Sequence, residues 1–229
     1  MKIRKWEDIP DFMRVPEVRP YWESLYRKRF QLVIKKFFDV IVASILLTIL
    51  AAPMAIIAVM IKIDSEGPVF YRQERVTQYG KIFRIHKFRT MINHADKMGT
   101  EVTIRNDTRI TRVGQKLRDK RLDELPQLFD ILTGNMSFVG TRPEAVKYVD
   151  AYKKGYYATL LLPAGITSVC SIKYKDEAQL LAGSDDPDKT YIDEILPDKM
   201  KWNLWSVKHF NVVLELGTMV ETVVKVMKA

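Results

Sequence analysis

The chain has 229 residues, 47% of them apolar and 28% charged, which fits one large or two small folded domains and excludes a disordered chain. Its net charge of +9 favours an anionic partner: nucleic acid, an acidic membrane surface or a phosphorylated substrate. The single cysteine, Cys170, excludes an internal disulfide and a Cys-rich zinc site, and His86, His94 and His209 are too scattered for a metal-ligand cluster.

Residues 1–29 mix charges with Trp6, Phe12, Tyr21, Trp22 and Tyr26, and Pro10, Pro16 and Pro20 break any early helix. Two readings are open: an arm at a membrane interface, where aromatics and basic residues gather, or a solvated arm with a few packed aromatics. A helical pattern starts at Ser24 and runs into the apolar stretch that defines residues 30–63.

Val40 to Ile61 carries no charged side chain. A bilayer core about 30 Å thick needs roughly 20 such residues. Yet Pro53 interrupts the run, and Val40 to Ala52 alone reaches only about 20 Å. Both flanks are basic, with Arg27, Lys28, Arg29, Lys35 and Lys36 before and Lys62, Arg72 and Arg75 after, and such residues stay cytoplasmic. The expectation is a re-entrant helix hairpin, broken at Ala52 and Pro53, with both ends on one face. A Pro-kinked spanning helix and a buried core helix are the alternatives. No cleavable signal follows the run.

Residues 64–229 read as one cytoplasmic domain. Asp64-Ser65-Glu66-Gly67-Pro68 is a turn. Val69 to Arg75 and Lys81 to Thr90 alternate as two strands of a basic β-hairpin. Residues two apart on a strand share a face, so Lys87 and Arg89 are expected to point together at one anion or one carboxylate. A helical stretch around Met91 to Met98, a polar loop from Gly99 to Arg109 and a short helix within Ile110 to Arg121 follow. Leu125, Leu128, Phe129 and Leu132 recur at helical spacing, with Pro126 in a first turn and Gly134 at a C-terminal cap. That places Asp123 and Glu124 at a helix entrance, where the dipole would keep Asp123 ionised. Capping alone also explains an acidic helix start. Glu144 to Leu161 looks helical and stops at Pro163-Ala164-Gly165. Ser184 to Asp188 is a loop. Tyr191 to Trp205 and Val207 to Met227 are two closing helices, the last with a stripe of Val213, Leu216, Val220, Val223 and Met227. The stripe packs on the body or lies on lipid. The fold class expected is α+β and helix-dominated.

Six strings stand in order: the Pro-broken apolar stretch, DSEGPVFYRQERV, KFRTM, NDTRITRVG, LDELPQ and LTGNMSFVGTRP. Together they resemble the bacterial sugar transferases of the monotopic polyprenol-phosphate phosphoglycosyl transferase type, over about residues 30–227. The resemblance implies transfer of a sugar 1-phosphate from a nucleoside diphosphate sugar, such as a UDP-sugar, to a polyprenyl phosphate such as undecaprenyl phosphate. UMP would leave, and the reaction would open a bacterial polysaccharide or glycoconjugate pathway. It implies a site at the cytoplasmic face of the bacterial inner membrane, with lipid and both substrates as partners. No nucleic-acid motif accompanies the positive charge, and a homo-oligomer is compatible with the sequence.

Under that resemblance Asp123 is the nucleophile, as carboxylates are in aspartyl-phosphate enzymes. Glu124 is its partner, orienting the acceptor, assisting proton movement or helping to hold a metal. Mg²⁺ is the implied cofactor, with Asp123 its first ligand. Arg142 resembles the family's phosphate-binding arginine, and Lys87, Arg89 and Arg109 are further candidates for the diphosphate or for holding the carboxylates. Two departures stand out. Ala52-Pro53 replaces the family's frequent Ser-Pro, so Ser44 or Thr48 would have to satisfy the carbonyls freed at the break. Thr141-Arg142-Pro143 replaces its common Pro-Arg-Pro. A reading of another class is a non-catalytic scaffold at the membrane surface, against which the Asp123-Glu124 pair and Arg142 argue. Sugar selectivity is expected in the loops near Thr167 to Asp188.

Overall fold

The computed structural model describes residues 1–95, 107–174, 184 and 186–227. Residues 96–98 of the expected Met91–Met98 helix, most of the Gly99–Arg109 loop and much of Thr167–Asp188 lie outside the described residues. Residues 91–95 form no α-helix, as Met91 bridges to Ile110 and His94 takes φ 61°. The fold is α+β and helix-dominated.

Two short helical turns lead to α1 (Arg19–Arg27) and then to α2 (Arg29–Asp64). The N-terminal residues are not a separate arm. Met1, Ile3, Ile9, Met13, Val18 and Leu25 are buried in the largest apolar cluster, with Tyr148, Leu161, Leu196 and Met200. Each such side chain contributes about 1.5–3 kcal/mol when removed from water, so this segment is held by the core.

Helix α2 is uninterrupted, and Pro53 lies inside it. The expected hairpin with a break at Ala52 and Pro53 is not what forms. Leu32, Lys35, Asp39, Ala43, Met54, Ile57 and Ile61 are its buried positions, three or four apart except where half-buried Leu46, Leu47 and Leu50 fill the interval. That spacing is one continuous helical face. Leu47 and Leu50 before the proline, and Met54, Ile57 and Ile61 after it, share one cluster with Phe88 and Leu117. Pro53 itself is exposed. It removes one donor, to the Ile49 carbonyl, which is too little to reverse a helix packed on both sides of the gap. Ser44 and Thr48 do not compensate: their hydroxyls donate to the carbonyls of Val40 and Ser44, at 2.8 and 3.0 Å.

Strands β1 (Phe70–Val76) and β2 (Ile82–Phe88) pair antiparallel, with Phe70 opposite Phe88 and Val76 opposite Ile82. The turn places Tyr79 and Gly80 at positive φ, 59° and 76°. Helix α3 (Arg112–Asp119) is N-capped by Thr111, which accepts from Gly114 N–H at 3.0 Å. Asp64, the last residue of α2, accepts from Val113 N–H at 3.0 Å and ties α2 to the start of α3. After a 3-10 turn at Leu122–Glu124 comes α4 (Gln127–Leu132), ended by Gly134 at φ 77°. Its inward face is Gln127, Leu128, Asp130 and Ile131, whereas Phe129 and Leu132 of the expected stripe are exposed.

Strands β3 (Met136–Val139) and β4 (Ala164–Thr167) form a parallel pair that the sequence pattern did not announce. Gly140 and Gly165 meet back to back: a Cβ on Gly165 would fall 2.1 Å from the Gly140 nitrogen. Between these strands the expected Glu144–Leu161 helix is instead α5 (Val146–Asp150) followed by a 3-10 run, Lys154–Leu161. Then come α6 (Val169–Lys173), α7 (Pro187–Thr190) with a π turn at Tyr191–Ile195, α8 (Leu196–Lys208) and α9 (Val212–Met227). Helix α9 packs on α2, β3 and β4. Lys35 of α2 joins Glu215 of α9 at 2.5 Å, with both side chains largely buried.

Both helices leave an apolar face uncovered. On α2 it holds Phe30, Val33, Phe37, Ile41, Ile45, Ile49, Ile56, Val59 and Ile63, and on α9 Val213, Leu216, Val220 and Val223. Among the described residues α2 is the one helix long and apolar enough to cross a membrane.

Candidate active site

The turn before α4 carries the two acids. Arg121 adopts φ 54°, a left-handed conformation uncommon outside glycine, and swings the chain into the Leu122–Glu124 turn. Asp123 and Glu124 are both buried, at 9% and 8% exposure. They line a cavity of about 720 Å³ with Lys87, Arg118, Arg121, Gln127 and Arg142.

Their engagements differ. Glu124 Oε1 accepts from Arg142 Nη2 at 2.5 Å and from Lys87 Nζ at 3.4 Å. Burial alone would raise its pKa, but Arg142 and Lys87 outweigh it and hold the carboxyl well below the usual carboxylate range. Asp123 makes no side-chain hydrogen bond or ion pair among the described residues. Burial raises its pKa and Glu124 adds repulsion, while Lys87, Arg118 and Arg142 oppose them. The anticipated support from a helix dipole is not the main one. Asp123 lies ahead of the six-residue α4, and nearby cations act on it instead.

Lys87 reaches the pair because β2 alternates. It stands opposite Tyr71 across the ladder, on the face that also carries Gln73 and Arg75 toward the cavity. Burial lowers the Lys87 pKa, and Glu124 pulls it back up. Arg142 arrives on the segment after β3, fixed where Gly140 N–H donates to the Thr167 carbonyl at 3.0 Å and Gly165 N–H to the Thr141 carbonyl at 2.9 Å.

Arg89 and Arg109 are not brought to the carboxylates. Strand β2 ends at Phe88, so the alternation that would align Arg89 with Lys87 stops there. The Arg89 guanidinium instead donates to the carbonyls of Glu66 and Ser65, both at 2.7 Å, at the end of α2. Gly67 leaves room for it: a Cβ there would fall 2.0 Å from Arg89 Nη1. Arg109 pairs with Asp107 at 2.6 Å and donates to the Ala95 carbonyl at 3.0 Å. It borders the cavity but serves first to hold its own loop.

Other groups in the cavity wall carry no sequence signal of their own. Arg118 comes from α3, donates to Thr90 at 3.1 Å and acts electrostatically on Asp123. Its spacing from Asp123 is readable, but only α3 packing on Thr90 turns it inward; a Cβ on Gly114 would fall 2.0 Å from the Thr90 carbonyl oxygen. Arg75, Glu144 and Lys199 also line the cavity.

Chemically, the arrangement offers one unengaged buried carboxylate beside another locked between two cations. Mg²⁺ takes one or two carboxylates and completes its shell with water and phosphate oxygens. Asp123 is the residue here whose oxygens are open to such a cation.

Residues 30–229 match the family model described as bacterial sugar transferase. A Bacillus subtilis protein, provisionally named undecaprenyl-phosphate N-acetylgalactosaminyl 1-phosphate transferase, is 39% identical over 153 residues, covering 67% of this chain and 85% of its own. The UDP-N-acetylgalactosamine-undecaprenyl-phosphate N-acetylgalactosaminephosphotransferase of Aeromonas hydrophila is 32% identical over 193 residues, 83% of this chain and 43% of its own. The UDP-glucose:undecaprenyl-phosphate glucose-1-phosphate transferase of Klebsiella pneumoniae is 33% identical over 199 residues, 85% of this chain and 40% of its own. The chain therefore spans about two fifths of the length of the latter two relatives.

Proposed function

The chain belongs to the bacterial sugar transferase family, and from that premise we propose that it moves a sugar 1-phosphate from a UDP-sugar to undecaprenyl phosphate. The observation that carries this reading is the division of labour between the two acids: Glu124 is held by Arg142 and Lys87, and Asp123 is left open in the same cavity.

An oxygen of Asp123 attacks the sugar-linked phosphorus. A bond forms between them, the phosphoanhydride bond to UMP breaks, and UMP departs with the bridging oxygen. A phosphate oxygen of undecaprenyl phosphate then attacks the same phosphorus and releases Asp123. The product is an undecaprenyl-diphospho-sugar. Such transfers depend on positioning and charge neutralisation. Arg142 and Lys87 already stand at Glu124, within reach of a diphosphate beside Asp123. Arg118 adds a third positive charge from α3. Asp123 is the residue that would hold Mg²⁺, which when bound neutralises phosphate charge next to the attacking carboxylate.

The uncovered faces of α2 and α9 support placement on a bilayer. Exposed apolar surface of this extent marks a membrane or partner site. One face of α2 is packed on the body along its whole length, so the helix rests in a leaflet and keeps both basic flanks on one side. That puts the carboxylates near headgroup level, where a polyprenyl phosphate presents its anionic end. The face concerned is the cytoplasmic face of the inner membrane, where UDP-sugars are found.

Release of UMP from UDP-sugars by purified protein with undecaprenyl phosphate and Mg²⁺ tests the reading. Asp123→Asn should abolish turnover while leaving the fold intact. Turnover retained in that variant would remove Asp123 from the mechanism.

A further inference from the structure

Glu144, Tyr191, Lys199 and Asn203 line the same cavity as the acid pair, and the transfer described above uses none of them. Tyr191 donates to Glu144 Oε1 at 2.7 Å. Lys199 Nζ lies 3.2 Å from that same oxygen and 2.6 Å from the Tyr191 hydroxyl. All four residues are more than nine-tenths buried.

Two polar groups in this wall stay unused among the described residues. Glu144 accepts through Oε1, and its Oε2 makes no hydrogen bond. Asn203, one helical turn beyond Lys199 on α8, is 3% exposed, and its side-chain amide makes none either. With Ser168 it also borders a smaller adjoining cavity of about 30 Å³. Neither group is sealed from solvent, since the buried side-chain atoms without a partner among the described residues belong to Gln31, Asp39, Arg89, Gln127 and Glu215. The Glu144 oxygen and the Asn203 amide open onto the cavity, where a water or a ligand completes them.

The chemistry of this wall differs from that around Glu124. Lys199 is ion-paired with Glu144, and Arg75 also acts on that carboxylate and keeps it ionised, so its spare oxygen disfavours a phosphate beside it. Such an oxygen beside an amide accepts from, and donates to, hydroxyl groups. A nucleobase is a poorer match. The rings of Tyr148 and Tyr191 pack on each other, with centroids 4.5 Å apart and exposures of 4% and 2%, so neither offers a face for stacking.

We propose that Glu144 Oε2 and the Asn203 amide form the subsite for the hydroxyl groups of the donor's sugar and thereby set which sugar is transferred. This inference rests on the transfer reading. Tyr191 and Lys199 act as positioning residues, holding the Glu144 carboxylate in one orientation. A site built to hydrogen-bond a hydroxyl discriminates strongly against an analogue that lacks it.

The test compares wild type with Asn203→Ala and Glu144→Gln, and with Asn203→Ser should the alanine variant fail to fold. UMP release is measured with UDP-glucose, UDP-galactose and their 2-acetamido counterparts, and UMP binding by calorimetry. The ratios of kcat/KM between sugars should move by about tenfold or more, as loss of a specific hydrogen bond implies, with UMP affinity held within about twofold. Unchanged ratios in folded variants overturn the assignment. A parallel loss of UMP affinity also overturns it and gives the wall to the nucleotide. A wild type that releases no UMP from any of these donors removes the transfer reading, and this inference with it. Ratios are read only where wild type turns over, so the two failures are told apart.

Discussion

Glu124→Gln keeps the shape of the side chain and removes its charge. In the wild type one oxygen meets Arg142 at 2.5 Å and Lys87 at 3.4 Å. At an effective dielectric of about 20, each contact is a gross attraction of roughly 5–7 kcal/mol. Removing these charges from water offsets most of that, and breaking a buried pair costs about 3–5 kcal/mol net. The Arg142 side chain is 35% exposed and screened, which favours the lower end, about 3 kcal/mol. For a chain of this length that is a Tm drop of roughly 6–12 °C, measurable by scanning fluorimetry in detergent. The electrostatic consequence falls on Asp123. Glu124 raises the Asp123 pKa by like-charge repulsion, and its neutralisation also leaves two cations to turn toward Asp123. Both effects lower that pKa, so the acid limb of the UMP-release profile should move to lower pH. Turnover near neutrality should fall because the nucleophile becomes ion-paired. A variant with wild-type Tm and an unmoved acid limb would refute this account of the pair.

Lys87→Met should shift the acid limb the other way, to higher pH. Burial raises the Asp123 pKa and Lys87 opposes it, so the ionised fraction at a given acidic pH falls when the lysine is lost; an unmoved limb counts against that role. Gly165→Ala forces a Cβ to 2.1 Å from the Gly140 nitrogen and should cost about 3 kcal/mol or more, read as loss of folded protein or a large Tm drop. A Tm within about 2 °C of wild type would show that β3 and β4 do not meet as described. Ile49→Glu on the outer face of α2, paired with Val220→Asp on α9, should release the protein from vesicles of anionic and neutral lipid in a flotation assay, since each is exposed, 65% and 64%. Unchanged flotation would place the membrane contact elsewhere.

Local signals made the acid pair, Arg142, the β-hairpin and the short helix before the acids legible in the sequence. Alternation revealed β1 and β2 because their partners are adjacent in the chain. It could not reveal β3 and β4, four residues each, whose parallel register pairs Met136 with Ala164 across an intervening helix and 3-10 run. Charge alone did not say where Arg89 and Arg109, which both line the cavity, make their bonds, because side-chain type does not say which acceptor is within reach. The carbonyls ending α2 claimed one and Asp107 the other. Pro53 suggested a reversal because a lone helix would break there, whereas packing along α2 carries the helix through. Glu144 and Lys199 were silent because they lie 55 residues apart and meet only when α8 folds back.

The central claim is that Asp123 becomes esterified to the sugar phosphate in each cycle. Protein mixed with UDP-sugar in the absence of undecaprenyl phosphate, acid-quenched and digested, should yield a peptide carrying one sugar phosphate on Asp123. The adduct should disappear when the lipid phosphate is added before the quench. Brisk UMP release with no adduct on Asp123 at any quench time, or with the adduct on Glu124, would contradict it.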